Sequence, residues 1–206
     1  MFEDRVDAAN KLCRKLIKFS DNKNTFVVGL TRGGVVTAKI ISQNLRLKLK
    51  AIIVKKIGLP WSKELAIGAI ISNEDVFWND ELCKEFDIDK NKKKELIKEK
   101  EKELKDLNNI LRLKPEDYSG KTIILVDDGV ATGMTVLTAL KYLRKKGAFK
   151  IILAIPVIAL DTLNNISKYF DNVVYLEVKK DFFSVSQFYK NFEQISDQKV
   201  AKILKS

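Results

Sequence analysis

Apolar positions along the chain follow two rhythms. From residue 3 to 19, Val6, Ala9, Leu12, Cys13, Leu16 and Ile17 recur three and four apart, the spacing of one helix face. Elsewhere apolar residues come in short runs: Thr25–Leu30, Leu49–Val54, Lys121–Val126, Ile151–Val157 and Val173–Val178. Runs this short read as strands buried on both faces. Helical stretches separate them: from Gly34 to about Leu45, Val136 to Lys146, Ala159 to Phe170, and from near Ser196 onward. Strands alternating with helices imply parallel pairing. The expected fold is α/β, a mostly parallel five-stranded sheet with helices on both faces. No internal repeat or dividing linker is visible, so residues 1–206 are expected to form one domain.

Three segments interrupt the alternation. Lys55–Pro60 reads as a loop, punctuated by Gly58 and Pro60. Leu65–Ser72 and Asp75–Trp78 read as a hairpin or ribbon. Residues 79–113 read as a charged helical insertion. Leu104, Leu107 and Leu111 give it one apolar stripe, and Glu101 and Lys105 stand at i,i+4. One stripe predicts a helix packed on one side rather than a coiled coil.

Composition narrows the chemistry. The chain has no histidine, which removes Ser-His-Asp and Cys-His catalysis and histidine-ligated zinc. Its two cysteines, Cys13 and Cys83, are too far apart and too few for a disulfide framework. A bound metal is therefore expected to be a hard, oxygen-liganded ion, magnesium first. The formal charge of +11 favours anionic partners. Nucleic acid, a polyphosphorylated small substrate and plain solubility of a lysine-rich surface all fit that charge, and the basic residues show no RNA-binding signature with interleaved aromatics. Lysine and glutamate alternate over 90–105 as on a solvated helix face. No run approaches the ~18 apolar residues of a membrane span. Met1-Phe2-Glu3-Asp4 lacks the opening of a secretory leader. The expectation is a cytoplasmic protein with no membrane contact.

Three polar segments fall at the carboxyl ends of expected strands: Thr31–Gly34, Lys55–Pro60 and Asp127–Thr135. In a parallel sheet they share one edge, where ligands collect. The third is the most informative. The apolar run Ile123–Val126 leads into Asp127 and Asp128, then Gly129-Val130-Ala131-Thr132-Gly133-Met134-Thr135, then a helix. Glycines before a helix present free N–H groups to a phosphate. Two carboxylates repel phosphate but suit sugar hydroxyls or magnesium. A Walker loop is excluded because Met134 stands where its lysine is required, and no G-x-G-x-x-G occurs. Arg32 with two glycines, and Lys55 with Lys56, add cationic contacts. The ligand that satisfies all three segments is charged at both ends, with hydroxyls between.

The segment Val126–Thr135 resembles the phosphoribosyl-pyrophosphate (PRPP) motif of type I phosphoribosyltransferases: an apolar run, two acids, a spacer, then Thr-Gly-x-Thr. Leu30–Val35, Val54–Gly58, Glu64–Ala69 and the series Phe183, Tyr189, Phe192, Gln194 and Asp197 resemble, in order, a bacterial and archaeal branch of that family. The resemblance implies Mg²⁺-dependent transfer of a 5-phosphoribosyl group from PRPP to a nitrogenous acceptor, with release of pyrophosphate. It implies a 5′-phosphate site at Gly129, Val130, Ala131, Thr132, Gly133 and Thr135. It gives Asp127 and Asp128 the ribose hydroxyls and magnesium, directly or through water. Thr31, Arg32, Gly33 and Gly34 become the pyrophosphate loop. Residues from about Ile57 to Ala69 become a flexible lid, with Lys55 or Lys56 reaching the leaving group. Residues 179–206 become a small C-terminal hood, where Phe182, Phe183 or Tyr189 stack on the acceptor or cap the core. A homodimer is usual in the superfamily.

One position departs from the 6-oxopurine members. They carry an aspartate before the Thr-Gly pair, where this chain has Ala131. A catalytically silent PRPP sensor or nucleic-acid-binding regulator is the alternative reading. An Asp128→Asn change is expected to weaken PRPP binding and spare folding, because a loop-tip carboxylate should not hold the core.

Overall fold

The computed structural model describes residues 1–72 and 75–205, and for Lys63 and Glu64 the backbone only. The side chain of Glu64 and residue 206 thus lie outside the described part. In chain order the elements are α1 (Arg5–Leu16), β1 (Thr25–Leu30), α2 (Gly33–Leu45), β2 (Lys48–Ile52), β3 (Lys55–Leu59), β4 (Ser62–Ser72) and β5 (Asp75–Trp78). There follow α3 (Asp80–Glu85), α4 (Lys90–Leu111), β6 (Thr122–Val126), α5 (Met134–Lys145), β7 (Lys150–Ala159), α6 (Leu160–Ile166), β8 (Asn172–Lys179) and α7 (Asp197–Lys205).

Five strands form one sheet in the order β2-β1-β6-β7-β8. Every pairing within it is parallel. Alternate residues of each strand face opposite sides, and both sides are apolar. Val28, Leu30, Ile123, Leu125, Leu153 and Ile155 pack under Val136, Ala139, Leu140 and Leu143 of α5. Val27, Ile124, Val126, Ile152 and Ala154 pack under Leu12 and Leu16 of α1 and Ala38, Ile41 and Leu45 of α2. This two-sided burial explains why the strands read as unbroken apolar runs.

A second, antiparallel sheet has the order β3-β4-β5. The segment expected as a loop at 55–60 is therefore mostly strand. Gly58 did not end it: the ladder shifts register around Gly58, which pairs with Ala66, and the turn comes after Leu59. Ile57, Leu59, Ile67 and Ile70 of this ribbon share a core with Cys83, Leu96, Leu104, Leu107 and Leu111 of α3 and α4, and with Val200 of α7. The insertion at 79–113 is two helices, not one. Asp87 takes a left-handed φ of 49°, and Asp89 caps α4 by accepting from Lys92 N at 2.7 Å. Ion pairs along α4 join Lys92 to Glu95 and Lys100 to Glu103, whereas Glu101 and Lys105 make none with each other. No helix among the described residues is long and apolar enough to cross a membrane.

The two ends of the chain meet over the sheet's carboxyl edge. Phe2 N donates to Phe188 O at 2.8 Å, and Lys190 N donates to Phe2 O at 2.9 Å. Arg5, 7% exposed, lies on the buried face of α1 with Ala8, Ala9 and Leu12, while Val6 and Ile17 face outward. Its Nε donates to Asp128 Oδ2 at 2.7 Å and its Nη1 to Glu193 O at 2.8 Å. Asp128 is thus no free loop tip, and the premise from which a change there was expected to spare folding does not hold. Breaking a buried ion pair from one side leaves the other charge uncompensated, at about 3–5 kcal/mol. Asp128→Ala is expected to lose stability of that order in urea unfolding. Asp128→Asn, which keeps an acceptor oxygen, is expected to lose about 1–3 kcal/mol.

Candidate active site

The site is built where β1 and β6 end side by side. Gly29 pairs with Val126, so the segments after these strands start at the same level. The chain after β1 turns at once into α2, and the Thr31–Arg32 peptide is cis. A Cβ on Gly34 would lie 2.6 Å from Val126 O and 2.9 Å from the Asp127 Cα. One on Gly33 would overlap Asp128 Oδ2. Only glycines let the N-terminus of α2 come this close to the acidic pair.

The segment after β6 forms the second wall. Its middle is strapped to β7: Val130 N donates to Val157 O at 3.0 Å, and Ala159 N donates to Val130 O at 3.1 Å. The Thr162 hydroxyl donates to Ala131 O. Gly133 caps α5 with a left-handed φ of 80°. A cavity of about 130 Å³ opens here, lined by Lys56, Asp127, Gly129–Gly133, Thr135, Val136 and Val185. Its walls are backbone and small side chains at a helix N-terminus, with one ammonium group opposite, which suits a phosphate.

The two aspartates differ in surroundings. Asp127 lines that cavity, and its Oδ1 accepts from Asp128 N at 2.9 Å. Burial of its carboxylate, and then the neighbouring Asp128 charge, push its pKa well above the usual carboxylate range; the Asp128 N–H and Lys56 offset this in part. Asp128 opens instead onto a wider cavity of about 590 Å³, with Arg5, Arg32, Gly33, Phe192, Gln194, Ile195 and Ser196. Tyr189 Oη donates to the Asp128 carbonyl at 2.6 Å. Burial, and then the Asp128 charge, push the Tyr189 phenol upward. The acidic pair thus stands on the divide between a phosphate-sized cavity and a larger cationic one.

The remaining candidate residues fall as follows. Lys55 and Lys56 lie on opposite faces of β3, as strand alternation requires. Lys56 reaches the small cavity, whereas Lys55 pairs with Glu103 of α4 at 3.4 Å. Exposed Arg32 has its Nε 2.6 Å from Asp197 Oδ1. Thr31 N donates to Ile52 O at 3.2 Å, tying the first segment to β2. Thr132 and Thr135 both border the small cavity. Phe182 packs on Phe188 with ring centroids 4.8 Å apart, Tyr189 is buried, and Phe183 is 90% exposed. Two residues that sequence reasoning passed over matter here. Val185 closes the small cavity against Gly129, without a distinctive sequence signal. Arg5 did leave one: a charge in register with an apolar helix stripe. Among the described residues no group of three or more His, Cys, Asp or Glu could hold a metal by itself.

Comparison with known proteins bears on the family and the fold. The phosphoribosyl transferase domain family matches residues 2–193. Two proteins of Mycobacterium tuberculosis, from strains CDC 1551 / Oshkosh and ATCC 25618 / H37Rv, carry the provisional name phosphoribosyl transferase. Each is 34% identical over 209 residues, covering 99% of this chain and 46% of the relative. The chain thus spans about half the length of the curated relatives it matches. The crystal structure of TT1426 from Thermus thermophilus superposes with a TM-score of 0.82 at 28% identity, over 98% of this chain and 97% of that one. A purine phosphoribosyltransferase from Pyrococcus horikoshii Ot3 shares the fold, with a TM-score of 0.52 at 19% identity over 93% of each chain. A five-stranded parallel sheet, an acidic pair at its carboxyl edge and a domain match over nearly the whole length lead to one assignment: the chain belongs to the type I phosphoribosyltransferase family.

Proposed function

We propose that the protein transfers the 5-phosphoribosyl group of PRPP to a small nitrogenous acceptor. The observation that carries this reading is the division of the acidic pair between two cavities. The small cavity matches the 5′-phosphate in size and chemistry. The larger one offers Arg32 and the Gly33 backbone to a pyrophosphate. A ribose lying between them would present its hydroxyls to Asp127 and Asp128. In the reaction the C1–O bond to pyrophosphate breaks and an acceptor nitrogen bonds to C1. The acceptor gives up a proton and pyrophosphate departs with the bonding pair.

Within this reading each group has one task. The N–H groups of 129–135 and the Thr132 and Thr135 hydroxyls hold the phosphate. Lys56, on the ribbon, offsets negative charge beside it. The ribbon acts as the lid that excludes water from the reactive sugar. The aspartates are hard oxygen donors, too few to cage a cation alone, so they fit Mg²⁺ that takes its other ligands from phosphate and water. Bound there, Mg²⁺ would stabilise charge developing on the leaving group. Ala131 in place of an acid argues against 6-oxopurine acceptors. The exposed Phe183 ring offers an acceptor a stacking face.

Pyrophosphate release from PRPP and Mg²⁺, with a panel of nitrogenous bases, tests the reading. Release with at least one base is expected. Tight PRPP binding with no release from any base would turn the assignment to a sensor. Lys56→Ala is expected to lower kcat/KM by about 10- to 100-fold, chiefly through a higher KM, because its contact is with a phosphate whose charge is the same in ground and transition states. Lys55→Ala is expected to leave it nearly unchanged, because Lys55 is turned toward α4.

A further inference from the structure

We propose that Arg5 is a positioning residue for the sugar: it commits one oxygen of Asp128 and thereby aims the other at a ribose hydroxyl. The inference rests on the PRPP reading above and adds a residue outside every motif of the family resemblance.

Each aspartate commits one carboxylate oxygen within the protein. Asp127 Oδ1 is taken by the Asp128 N–H at 2.9 Å. Asp128 Oδ2 is taken by Arg5 Nε at 2.7 Å. Apart from the contact between the two carboxyl groups themselves, no donor among the described residues meets the second oxygen of either side chain. Each residue therefore keeps one oxygen that a vicinal diol can take up in place of that contact.

Arg5 is itself held on several sides. Its Nη1 donates to Glu193 O at 2.8 Å, and its Cζ lies 3.9 Å over the centre of the Phe192 ring. The guanidinium plane therefore has little freedom to rotate, and neither has the Asp128 carboxylate it grips. Tyr189 Oη fixes the same residue from its carbonyl side at 2.6 Å. A buried ion pair adds little net stability, because desolvation offsets the attraction, and an apolar pair of similar volume would serve the core as well. Orientation of Asp128 accounts for a charge at this position where core packing does not.

Ribose 5-phosphate and 2-deoxyribose 5-phosphate, titrated calorimetrically, separate this role from a structural one. Both carry the phosphate, and only the first carries the 2-hydroxyl. The wild-type protein is expected to bind ribose 5-phosphate about tenfold more tightly, as one hydrogen bond to a charged acceptor gives. In Arg5→Met and in Asp128→Asn the two affinities are expected to converge to within about twofold. Arg5→Lys keeps the charge without the planar fork and is expected to fall between. A merely structural Arg5 would weaken both ligands equally and keep their ratio. An unchanged ratio in Arg5→Met, or in Arg5→Lys if the methionine variant does not fold, overturns the proposal. So does a wild-type protein that binds PRPP with Mg²⁺ but does not distinguish the two sugars. Failure of the wild type to bind any of the three overturns the PRPP reading itself, and this proposal with it.

Discussion

Everything at the carboxyl edge depends on how closely α2 approaches the end of β6. Parallel pairing of Gly29 with Val126 brings two chain reversals to one level, and two glycines remove the side chains that would hold them apart. The cost is conformational: glycines lose more freedom on folding than other residues. The return is a backbone surface pressed against two carboxylates, with cavities on either side of them. A methyl group at Gly34 would meet the Val126 carbonyl and the Asp127 backbone, so α2 would have to shift away from the end of β6.

The central sheet was legible because burial on both faces writes itself as apolar runs. In the ribbon, β4 and β5 were legible as a hairpin, but β3 was not, because Gly58 and Pro60 look like loop punctuation whether they break a strand or only shift its register. For the same reason Lys55 and Lys56 looked equivalent until β3 gave them opposite faces. The break between α3 and α4 was hidden by Ile88, which continues the apolar pattern while Asp87 turns the backbone. At the site, the cluster after β6 was readable because its residues are consecutive. Arg5, Val185 and Asp197 come from distant parts of the chain; Arg5 shows locally only as a charge in register with the apolar stripe of α1, and nothing in that pattern says which carboxylate it meets.

The ribbon belongs to two systems at once. Its buried face shares an apolar core with α3, α4 and α7, and its polar face sends Lys56 to the small cavity. The charged insertion thus serves as a mount for the ribbon, and Lys55–Glu103 is one of its fasteners.

The seam that joins residues 2–5 to residues 188–193 bears on folding. Arg5 and Glu193 are separated by 188 positions, and the Phe2 bond to Phe188 spans nearly as many. Contacts of such sequence separation form slowly, since a long loop must close first. A chain in which residues 188–193 have not docked lacks the Glu193 carbonyl and the Phe192 ring that hold Arg5, so the grip on Asp128 is complete only once the seam has closed.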